Sequence, residues 1–221
     1  MPVNYSLLKE SENSLMDEML EFYQFTNDIN SKLLKYIVKS KNEPQDSILD
    51  EQQFEEINDE INKSKVMQSD LLANCIWIIQ KNEPRASHLR FIIAIIYSAR
   101  NLRNFCDNTY KITRFFNKQK LDNLFYKPFV ECYETTIKLS KKMKDILVNK
   151  NDNEGKEKIK QEFENYHKEL KNIVRSFTYD LHKTSNSKTN DLLDFIIIVG
   201  RLERILDSQE NILKDFMYIS E

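Results

Sequence analysis

The side chains best able to do chemistry are few, and the most suggestive pair lies in the second half of the chain. Glu164 and His167 stand three residues apart, so on a helix they share one face. Helical bundles that hold two metal ions use this acid and histidine spacing twice, with two further inward glutamates. This sequence has it once. His88 has no partner at metal-ligand spacing and His182 falls near the end of an expected helix, so surface or capping roles suit both. No histidine is placed to serve a nucleophile triad. Cys75, Cys106 and Cys132 are odd in number, widely spaced and set among apolar residues, with no Cys-x-x-Cys pair. They read as buried free thiols in a reducing compartment rather than as metal or redox chemistry.

Glycine narrows the function further. Only Gly155 and Gly200 occur, whereas phosphate-cradling loops need several closely spaced glycines. Nucleotide-dependent catalysis is therefore not expected, and the chain reads as a binding protein rather than an enzyme. Basic and acidic residues nearly cancel, 33 against 35, so no uniform basic field is available to hold nucleic acid.

The elements that must position these residues are long helices. Apolar residues make up 40% and charged residues 31% of the 221, the balance of amphipathic rods covered in charge. Leu15, Met19, Phe22, Thr26, Ile29, Leu33 and Tyr36 alternate at spacings of four and three, which predicts a first helix over residues 6–39. A polar break at 40–46 precedes a second helix over 48–81. Pro84 suits the first position of a third helix, which carries Leu89, Ile92, Ile96, Leu102, Phe105, Ile112 and Phe116. Trp77, beside Ile78 and Ile79, is assigned to the bundle core, with a partner-binding patch as the alternative. The second half repeats the grammar: helices over 127–149, from the loop 150–155 to 182, and from the loop 183–190 to 218. The four prolines are expected to punctuate helices and not to interrupt them.

The pattern predicts an all-α chain of two tandem three-helix bundles, residues 1–117 and 118–221. Sliding the chain by 100 residues places Ile96 on Ile196, Leu102 on Leu202, Asp107 on Asp207, Ile112 on Ile212 and Phe116 on Phe216. The third and sixth helices thus read as copies. Residues 1–20 carry Lys9, Glu10, Glu12, Asp17 and Glu18 and lack the apolar core of a secretory signal. The longest apolar run, 91–97, falls far short of the ~20 residues of a membrane span. A cytoplasmic location is expected, with the membrane reached through a protein partner.

Two segments carry a family resemblance. Glu60-Ile61-Asn62, followed by Glu83-Pro84-Arg85-Ala86-Ser87-His88-Leu89-Arg90-Phe91-Ile92, resembles the second-to-third helix connection of PhoU proteins, Gln-Pro-x-Ala-x-Asp-Leu-Arg. Arg201-Leu202-Glu203-Arg204-Ile205-Leu206-Asp207 with Asn211-Ile212 resembles that family's Leu-Glu-Arg-Ile-Gly-Asp-x-x-x-Asn-Ile signature. The six-helix pattern extends the likeness over nearly the whole chain. It implies two spectrin-like bundles side by side and a restraining role in phosphate uptake and phosphate-starvation signalling. It also implies contact with the phosphate transporter, through its ATPase subunit or membrane complex, and with a sensor kinase where one exists. A second copy of the chain is a further candidate partner.

The same resemblance implies iron or another divalent metal on acidic helix faces. In Glu-x-x-x-Asp two carboxylates lie one turn apart and can ligate hard cations through oxygen. Glu203 and Asp207 preserve that pair, and Glu164 matches a further acidic position of the family. In the first repeat Asn101 and Arg103 stand where acids are expected, which leaves Asp107 alone; Asn58 and Lys160 replace acids on the second and fifth helices. The bare motif is weak, since 35 acids in 221 residues give about five such pairs by chance. The expected metal residues are Asp107, Glu164, Glu203 and Asp207. The competing readings are a ferritin-like metal-binding oxidoreductase and a helical scaffold without a ligand.

Overall fold

The computed structural model describes residues 5–39, 48–149, 152–183 and 189–219. They form six helices: α1 (Tyr5–Lys39), α2 (Glu51–Asn82), α3 (Ser87–Lys118), α4 (Asn123–Val148), α5 (Asn153–Lys183) and α6 (Thr189–Ile219). No strand occurs among the described residues. The all-α fold expected from the periodicity is therefore the observed one. The break at 40–46 and most of the loop 183–190 lie outside the described residues.

The helix ends follow local chemistry. Asp50 caps α2 in a reciprocal box: its carboxylate accepts the Gln53 N–H at 2.7 Å, and the Gln53 side-chain oxygen accepts the Asp50 N–H at 3.3 Å. Ahead of it, Ile48 and Leu49 donate their N–H groups to the Phe116 carbonyl at 3.0 and 3.1 Å, so the entry to α2 is pinned to the end of α3. Asp122 caps α4 by accepting the Leu124 N–H at 2.8 Å.

Two proline assignments are corrected. Pro84 is not the first residue of a helix: it sits in the α2–α3 turn, between Glu83 (φ 46°) and Ala86 (φ 50°). Both residues take positive φ without being glycine, Glu83 in the left-handed helical region, a conformation that costs about 1 kcal/mol or more each. Pro128 lies inside α4, which starts four residues earlier than the periodicity indicates because Asp122 supplies the cap. Its ring removes one intrahelical N–H bond, the one that would reach the Leu124 carbonyl. Trp77 is also corrected: it is 54% exposed and carries the Lys81 ammonium 4.3 Å from its ring centre. Cys75, Cys106 and Cys132 are free and buried, as expected.

Helices α1, α2 and α3 pack on one another, as do α4, α5 and α6, and the two bundles join along α1/α4 and α3/α6. Phe91 near the start of α3 meets Phe216 near the end of α6 edge to face at 6.3 Å, so this central pair is antiparallel. A buried polar seam accompanies the apolar one. Asn30 Oδ1 accepts from Thr109 at 3.0 Å and from Tyr133 at 2.6 Å, tying α1 to α3 and to α4. Tyr23 donates to Gln209 Oε1 at 3.2 Å, and Tyr126 to the Ile37 carbonyl at 2.7 Å. Each such bond contributes about 1 kcal/mol net, and a partner left alone costs more, so the seam fixes the register in which the bundles meet.

The repeat is visible in burial. Residues 91–119 and 191–219 show the same pattern of buried, half-buried and exposed positions except at 94/194 and 100/200. The other helices match at different offsets. Tyr23 and Thr26 of α1 correspond to Tyr133 and Thr136 of α4, while Ile57 and Ile61 of α2 correspond to Ile159 and Phe163 of α5. The offset changes from helix to helix because the connections differ in length.

Candidate metal centre

The Glu164, Glu203 and Asp207 expectation concentrates attention on the α5/α6 face, and the structure rearranges the set. Asp207 is there, half-buried on α6, but its companions are His167 of α5 and Glu210, one turn further along α6. One ligand atom from each lies within 4.8 Å of the others. His167 Nε2 stands 3.7 Å from Asp207 Oδ1 and 3.6 Å from Glu210 Oε2. Glu203 sits half-buried a turn before Asp207, and Glu164 is exposed; neither belongs to this group. Asp107, on α3, is engaged by Arg103 of its own helix.

His167 is recruited by α5 geometry. Ile159, Phe163, Tyr166 and Leu170 bury the inner stripe of that helix, and His167, beside Tyr166, falls at the edge of the stripe facing α6. Its side chain is only 16% exposed. Nε2 is buried and has no hydrogen-bond partner, since both carboxylate oxygens lie beyond bonding distance. A buried nitrogen without a partner costs about 1–3 kcal/mol, which an ion held between it and the carboxylates would recover. Two atoms sharing one metal at about 2.0–2.2 Å stand roughly 3–4 Å apart. The residues therefore fit a divalent ion: an imidazole nitrogen and two carboxylates suit ions such as Zn²⁺, Fe²⁺ and Mn²⁺.

Two cations already lean on the outer side of this centre. Lys214 reaches Glu210 at 2.8 Å and Arg204 reaches Asp207 at 3.3 Å, both from exposed positions. They engage Glu210 Oε1 and Asp207 Oδ2, whereas the oxygens nearest His167 are Glu210 Oε2 and Asp207 Oδ1. His167 stood out in the sequence through Glu164-x-x-His167, although Glu164 does not join its group. Glu210 was missed; its only sequence signal is the three-residue step from Asp207 on a helix face.

The first repeat closes the corresponding place differently. Arg103, one turn before Asp107 on α3, pairs with that aspartate. It also donates to the Ser64 hydroxyl at 2.6 Å and the Ile61 carbonyl at 2.9 Å. A guanidinium thus fills the α2/α3 face.

Fold and centre together define a double three-helix bundle with, among the described residues, one candidate nitrogen and oxygen ligand group between its last two helices. The bundle is that of the PhoU proteins. The chain matches PhoU from Pseudomonas aeruginosa with a TM-score of 0.80, at 16% identity over 96% of this chain and 98% of that one. It matches the phosphate transport system regulatory protein PhoU from Streptococcus pneumoniae with a TM-score of 0.81, at 17% identity over 96% of each. In sequence it is similar to the uncharacterized protein MG409 of Mycoplasma genitalium, 27% identical over 98% of this chain and 96% of the relative. The MG409 homolog of Mycoplasma pneumoniae is 29% identical over the same shares. No family model matches the chain. No described helix is long and apolar enough to cross a membrane.

Proposed function

We propose that this chain is a non-enzymatic regulator of phosphate uptake that works by docking on the phosphate transport machinery, and that its α5/α6 centre holds a divalent metal. The observation that carries the reading is the end-to-end match, at a TM-score of 0.81, to a protein described as a phosphate transport system regulatory protein. It is supported by Leu202-Glu203-Arg204-Ile205 and Asp207 falling on α6, the helix at the middle of that bundle. Regulation of this kind requires different affinity for two conformations of the transporter, because equal affinity shifts no equilibrium. The transporter's ATPase subunit is the first partner to test, and a sensor kinase the second. The metal would clamp α5 to α6 and stiffen the second bundle.

The experiment is affinity purification of the full chain from its native cell, followed by phosphate uptake in cells lacking it. Recovery of the transporter ATPase together with altered uptake is the expected result. Repeated recovery of no transport component, with unchanged uptake, sinks the reading. Metal analysis guards the alternative: a pair of irons per chain with oxidase activity would move the protein to the ferritin-like class.

A further inference from the structure

Each repeat opens a groove between its first and second helices, and the two grooves occupy matched positions. The larger, about 260 Å³, lies between α4 and α5 and is lined by Pro128, Glu131, Tyr166, Glu169, Ile173 and Phe177 among others. The smaller, about 200 Å³, lies between α1 and α2 and is lined by Glu18, Glu21, Met67, Asp70 and Leu71. In the offsets that relate the helices, Glu18 corresponds to Pro128, Glu21 to Glu131, Met67 to Glu169 and Leu71 to Ile173. One groove can be an accident of packing, but the same groove at matched residues in both halves belongs to the repeated unit.

The linings share a chemistry. Each combines apolar side chains with carboxylates, and neither contains a lysine, arginine or histidine. The carboxylates act on nearby buried thiols, one of which, Cys132, lines the larger groove. Burial pushes the Cys132 thiol up to about 11, and the charges of Glu169 and Glu131 add to the rise. Burial, with Glu18, does the same to Cys75, up to about 12. Glu131 has Lys127 beside it only at 3.8 Å, with both side chains well exposed, an arrangement worth little. An apolar trough with carboxylates along it suits a cation on a long aliphatic stem. Arginine fits best, because its planar head forks onto carboxylates in either groove and in the larger one also meets the Phe177 ring.

We infer that the two grooves receive arginine side chains of a protein partner that presents the same basic segment twice. A partner with twofold symmetry does this, and its second contact is strengthened by the first. The inference stands apart from the phosphate reading, since it concerns the chemistry of the partner surface and not the partner's identity.

The test is an NMR titration of the full chain with N-acetyl-arginine methylamide, with N-acetyl-glutamate methylamide as the comparison. Saturable amide shifts are expected around Glu131, Glu169 and Ile173 and around Glu21, Asp70 and Leu71. Glu131→Gln with Glu169→Gln should weaken the first set roughly tenfold and spare the second. Glu21→Gln with Asp70→Asn should do the reverse. Thermal unfolding of each variant verifies that the bundle persists. Shifts elsewhere, shifts equal with the glutamate probe, or shifts indifferent to both variants overturn the inference. For the paired segment, two identical arginine-bearing helical peptides are joined by flexible linkers of roughly 10, 20 and 40 residues. At least one linker should bind ten times tighter than the single peptide, as estimated for effective concentration. No gain at any length refutes a twofold partner.

Discussion

In the first repeat Asp107 faces an arginine from its own helix; in the second, Asp207 faces a histidine from the neighbouring one. The two places correspond residue by residue. Lys65 stands where His167 does, Arg103 where Glu203 does and Tyr110 where Glu210 does, and only the aspartate is shared. Lys65 turns aside to Asn62 at 2.8 Å, and Tyr110 packs its ring against Phe54 at 6.3 Å. Arg103 is 13% exposed and spends its donors on Asp107, Ser64 and Ile61. The first face thus carries a cation that is part of the chain. The second keeps a buried nitrogen without a partner beside two carboxylates. From one backbone, a change of three side chains separates a closed structural contact from a candidate ligand group.

The contrast breaks most sharply at His167. His167→Ala should weaken Zn²⁺ or Mn²⁺ binding by at least about 100-fold, since even outer-shell changes at metal sites cost 10–100-fold. In calorimetric titration the wild type is expected to show one site per chain and the variant none in the same range. At a hundredfold excess over Kd the ion should also raise the unfolding free energy by about 2.7 kcal/mol, an increment the variant lacks. Because protons compete with the metal for the imidazole, affinity should fall on acidification. Equal binding in both proteins would place the metal elsewhere.

The closed face is tested by Arg103→Met. The change leaves the Asp107 carboxylate without its cation and removes the donors from a serine hydroxyl and a carbonyl, for an expected loss of about 2 kcal/mol in urea unfolding. Arg204→Met on α6 is the matched control. Arg204 is 70% exposed and its single contact to Asp207 is 3.3 Å long, so a change under about 0.5 kcal/mol is expected. Similar losses for the two would erase the distinction between the faces.

Much of this architecture was legible before any coordinates. The four-and-three spacing of Leu15, Met19, Phe22 and Ile29 reports a helix because one buried stripe is the only way such a rod leaves water. The match of Asp107 to Asp207 likewise survives as a match of burial along α3 and α6. What stayed hidden depends on contacts between helices. The α2–α3 turn takes positive φ at Glu83 and Ala86, where composition offers no glycine to mark it. Pro128 looked like a boundary because its own cost is local, while the Asp122 cap that starts the helix before it is a separate signal. Trp77 looked like core by type, but its face of α2 is turned outward. Of the four acids singled out in the sequence only Asp207 lies in the candidate group, whereas Glu210 joins it through the facing of α5 and α6, which no spacing within one helix encodes.

The finest difference between the repeats lies near the ends of α3 and α6, and it carries the smallest expected effect. Position 115 is a phenylalanine that meets Phe116 edge to face at 5.1 Å, whereas the corresponding position 215 is an aspartate in the same half-buried setting. Burial raises the Asp215 carboxyl above its ordinary value, so the folded state holds this proton more tightly than the unfolded one. The resulting cost is fully present above the raised folded-state value and disappears as pH falls below the unfolded value near 3.9. Asp215→Asn should therefore stabilise the protein slightly at pH 7 and give no gain near pH 3. Unfolding in urea at both pH values measures it. A gain independent of pH would show that packing rather than charge distinguishes this position from Phe115, and a loss at pH 7 would mean that the carboxylate has a favourable partner that the asparagine cannot replace.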